Sequence, residues 1–179
     1  MAKLSSDSLT LEISFRNLEF GWVQYDVLFL QNNKNLINEK TLKRNSPHWR
    51  DRVHNAFRVN ESDKDTLIPV IETFLETNEP DYWEPIEPDI ILAFYPDWKF
   101  PFVDEFKKIK AGEELSNTIY DKDVFTIVAF IDRYNFEGAD CYTGDGVALV
   151  LSCERKALTD FLNELKQEYS AFCLKYNVR

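Results

Sequence analysis

Apolar positions recur along this chain with two periods, and the longest regular stretch lies in the C-terminal part. Leu158, Leu162, Leu165, Tyr169, Phe172 and Tyr176 return at steps of four and three, and Phe161 widens the stripe. That is the period of one helical face. Asp160, Glu164, Lys166 and Gln167 fall on the other side and belong in water. Burying such a stripe contributes on the order of 10–15 kcal/mol at most. A lone helix cannot realise that, so a sheet is expected beneath it. Val147–Leu151, just ahead, is apolar on both faces and reads as a central strand. Asp145 and Gly146 before it form a turn signal. Ser152 or Cys153 stands where an N-cap belongs, without a capping box. Core packing alone explains the whole unit.

Period-two alternation dominates the N-terminal part. Leu9, Leu11, Ile13 and Phe15 face one way, and Thr10, Glu12 and Ser14 the other, as in a half-buried strand. A second strand covers 20–30, with Val23, Tyr25, Val27 and Phe29 opposite Trp22, Gln24 and Asp26. A bend from Arg16 and Asn17 onward joins them as an antiparallel hairpin, and QNNKN at 31–35 is a turn. Residues 36–64 are polar and mixed in charge. Short strands near Leu36–Ile37 and Phe57–Val59 and a helical turn through Trp49, Val53 and Phe57 stay equally open there. A helix is expected over 65–77, with Leu67, Ile71, Phe74 and Leu75 as its stripe, Asp65 as cap and Pro69 in the first turn.

The prolines at 80, 85 and 88 exclude regular structure from 78–89. Ile90–Tyr95 follows as an apolar strand stopped by Pro96 and Pro101, and Phe102, Phe106 and Ile109 allow a short helix after it. Residues 123–134, β-branched and aromatic on both faces, form the clearest strand, and 135–146 is a loop. The fold class expected is therefore α+β: a mainly antiparallel sheet with a long C-terminal helix and a shorter second helix packed on one face. One domain over 1–179 is expected, with irregular inserts at 31–64 and 97–118.

Composition narrows the function classes. Apolar residues at 44% and aromatics at 15% supply a core and argue against disorder. The net charge of −10 opposes phosphate binding and favours a basic partner or plain solubility. Five glycines leave little room for a phosphate loop. Cys141, Cys153 and Cys173 are widely spaced with no CxxC, which fits free thiols in a reducing compartment. No secretory leader pattern or membrane-spanning run is read, so a cytoplasmic protein is expected.

Candidate chemistry is sparse. His48 and His54 lie six apart, a spacing that suits neither a helical nor a strand metal pair, and no third ligand joins them. Glu137, Asp140 and Asp145, among glycines, lack the alternation of a calcium loop and read as a solvated hairpin. Lys107, Lys108 and Lys110 are too small a basic patch for nucleic acid. Neither a G-x-S-x-G nor an S-x-x-K sequence occurs, and no cysteine stands beside a histidine. The acidic strip Glu84, Glu87 and Asp89 admits three readings. Its prolines stiffen an entry loop whose Trp83 packs on the core. Alternatively, it binds Lys or Arg of a partner, with Tyr82, Trp83 and Trp98 as aromatic anchors. As a third reading, its carboxylates do acid–base work in a hydrolase.

A paired strand unit with YDVLFL, the segment WEPIEPDIILAFY in mid-chain and the closing GVALVLSCERKALTDFLNELKQEY follow one another in a familiar order. That succession, with Leu158 and Phe161 opening the last helix, resembles the immunity proteins of the wall-associated-protein (WapI-type) group from bacterial polymorphic toxin loci. The likeness is one of pattern and covers about half the chain, with no functional residue to carry over. It implies a non-catalytic protein that neutralises a cognate basic toxin domain, such as a nuclease, without any cofactor. A structural or interaction module with another partner, and the hydrolase, remain the alternatives.

Overall fold

The computed structural model describes residues 1–6, 9–19, 22–36, 66–84, 90–96, 123–132 and 144–178. Strands β1 (Ala2–Ser5), β2 (Leu9–Glu19), β3 (Trp22–Gln31) and β4 (Lys34–Asn35) form one four-stranded sheet in chain order. Strands β5 (Asp81–Trp83), β6 (Ile91–Pro96), β7 (Val124–Asp132) and β8 (Gly146–Glu154) form a second, also in chain order. Every pairing is antiparallel. Helix α1 spans Leu67–Thr77 and helix α2 spans Arg155–Tyr176, so the architecture is α+β as expected.

Alternation along the strands builds one continuous core. Ala2, Leu4, Leu11, Ile13 and Phe29 are buried from the first sheet; Leu92, Phe94, Phe125, Ile127, Ala129, Leu151 and Cys153 from the second. The stripe of α2 is buried from Leu158 through Phe172, with Tyr176 packed at its margin. α2 lies against β1, β2, β8 and α1 and so roofs both sheets. Phe15 meets Tyr169 and Phe172 at ring separations of 5.6 and 5.5 Å. On the other side Phe74 of α1 sits edge-on to Phe125 at 4.8 Å. Tyr25 of β3 and Trp83 of β5, 6.3 Å apart, join the sheets directly. Polar ties fasten the roof: the Lys3 amide donates to Glu164 Oε2 at 3.0 Å, and Lys166 pairs with Glu72 at 2.5 Å. The buried Glu12 carboxylate is met by Lys3 Nζ at 2.6 Å.

Several local expectations are corrected. The chain does not bend at Arg16; β2 runs on to Glu19, and a bulge between Phe15 and Asn17 absorbs that residue. The turn near 31–35 is tighter than expected: Asn32 and Asn33, both at positive φ, return the chain into β4. The strand expected near Leu36 is that short β4, and Leu36 itself is exposed. Residues 78–89 are not wholly irregular, because Pro80 and Pro85 bracket a three-residue strand instead of interrupting it. The α1 N-cap is Thr66, not Asp65, and its side chain makes no capping bond. The α2 N-cap is Glu154, since β8 continues through Ser152 and Cys153. β8 is an edge strand of its sheet among the described residues, not a central one. The expectations for 37–64 and 97–118, and for residues 135–143 of the loop, lie outside the described residues.

Candidate functional site

The descent from α1 into β5 decides which side chains reach the surface. α1 ends on Asn78, whose left-handed conformation (φ 56°) lets its amide donate to Phe74 O at 2.9 Å. Thr77 then turns the chain out: its hydroxyl donates to Thr73 O and accepts from the Glu79 amide. Pro80 cannot extend a helix, and β5 begins at the next residue. Strand alternation does the rest. Trp83 points inward and is fully buried against Tyr25, while Tyr82 points outward and is 60% exposed. The Tyr82 amide donates to Asp81 Oδ1 at 2.8 Å, which fixes the strand's entry. Glu79 and Glu84 stand on either side of Tyr82 in the sequence, both exposed, and neither forms an ion pair among the described residues.

Of the residues expected at a binding strip, Tyr82 and Glu84 are thus brought together at the surface. Trp83 is not an available anchor, because its ring ties the two sheets and belongs to the core. Glu87, Asp89 and Trp98 lie outside the described residues. Glu79 extends the strip on the side that sequence reasoning passed over; its signal is a carboxylate directly before a proline at the head of a strand.

A second feature lies at the start of α2. An open groove of about 560 Å³ is lined by Asp123, Glu154, Arg155, Lys156, Thr159 and Asp160. Its cations are already engaged. Arg155 donates to Leu75 O at 2.9 Å and to Asn78 Oδ1 at 3.2 Å. Lys156 lies 2.5 Å from Asp160 one turn on, and that hydrogen bond raises its pKa. The groove is therefore acidic in outlook and shallow. The spacing of Lys156 and Asp160 was legible as a helical ion pair; the approach of Asp123 to Glu154 needed the β7–β8 register.

Burial pushes the Cys153 thiol up to about 12, which keeps it neutral and unreactive near neutral pH. Asp132, also buried, accepts from the Gly144 amide at 2.9 Å and holds the end of the loop before β8. Among the described residues, no group of three or more His, Cys, Asp and Glu side chains is placed to hold a metal ion. No described helix is long and apolar enough to cross a membrane. Comparison with protein-family models finds no match, and comparison with curated proteins and with solved structures finds none either.

Proposed function

We propose that the protein acts by binding another protein, and that the strip Glu79–Tyr82–Glu84 is part of the contact surface. The observation that carries this reading is the exposure of Tyr82 on a strand whose next residue is locked in the core, with the exposed carboxylates Glu79 and Glu84, unpaired among the described residues, close by in the chain. A tyrosine held on a rigid strand offers contact area at low entropic cost, and aromatic residues of this kind dominate binding energy at interfaces. The carboxylates supply acceptors for Lys and Arg. The net charge of −10 steers a basic partner toward the surface.

The partner class that fits is a basic domain. Within the resemblance to the wall-associated-protein immunity group, that domain is a toxin whose action the bound protein blocks without chemistry of its own. A basic toxin domain encoded beside this chain is the partner to test. Mixed with it at micromolar concentration, the tagged protein retains it on affinity resin and abolishes its toxicity on co-expression. Absence of a complex at micromolar concentration overturns the reading.

A further inference from the structure

We draw no further inference here: the strongest candidate, the outward face of the second sheet, where Tyr82, Ala93, Val128 and Val150 stand in register across β5, β6, β7 and β8, is an apolar face and nothing in the structure shows what covers it.

Discussion

Arg155 opens α2 but also closes α1, and its replacement measures how far the two helices depend on one another. Nη1 donates to Leu75 O at 2.9 Å, one of the last α1 carbonyls, which have no partner within the helix. Nη2 donates to Asn78 Oδ1 at 3.2 Å, and the guanidinium lies 4.9 Å from the Phe125 ring centroid. A cation at that point also complements the helix C-terminus. Hydrogen bonds from a charged donor contribute about 1.5 kcal/mol each at the low end, fitting for a half-buried arginine. The cation–π contact adds roughly 0.5 kcal/mol. Arg155→Met keeps the aliphatic stem and loses the rest, so we expect a loss of about 2–3 kcal/mol after water replaces part of the bonding. Arg155→Lys keeps charge without the fork and loses about half as much. In a domain of this size that corresponds to a fall in Tm of roughly 5–10 °C for the methionine variant. Urea denaturation followed by tryptophan fluorescence reads it. A loss below about 0.5 kcal/mol, or a lysine variant as damaged as the methionine one, would refute the clip.

Further predictions follow from single contacts. Trp83→Ala, at a fully buried site joining the sheets, is expected to cost about 3–5 kcal/mol in denaturant unfolding. Gly146→Ala places a Cβ against Ile131 O, a backbone atom that cannot yield cheaply; roughly 1–3 kcal/mol should be lost. Gly144→Ala, at φ +74° in open space, should lose about 1 kcal/mol from backbone strain alone. For Cys153 the thiol is raised from 9.0 to about 12 by burial, so its contribution to stability is fully present below pH 9. That contribution is lost as pH climbs from 9 toward 12, and unfolding monitored across the range should show a steeper decline in the parent than in Cys153→Ala.

Where a side chain's role depends on local period, it was legible in the sequence. The α2 stripe, the β2–β3 alternation and the apolar β7 each follow from spacing within one element. What failed depended on partners distant in sequence. β8 is apolar on both faces and so read as central, yet it is an edge among the described residues and Val147 and Val150 remain exposed. β1 is too short to show a period, although Ala2 and Leu4 are fully withdrawn from water. The three prolines hid β5, since three residues between two of them suffice for pairing with β6. At the site Glu84 is exposed, Glu87 and Asp89 lie outside the described residues, and Tyr82 and Trp83 were not distinguishable from sequence. Adjacent aromatics differ only through which side of the pleat meets Tyr25.

The surface role of Tyr82 is the claim on which the functional reading turns, and calorimetric titration into the proposed partner, a basic toxin domain, tests it most directly. Tyr82→Ala, a change at an exposed ring that leaves the fold intact, is predicted to weaken binding by roughly 30-fold, the mark of an interfacial anchor worth about 2 kcal/mol. A Tyr82→Ala protein that binds as tightly as the parent contradicts it.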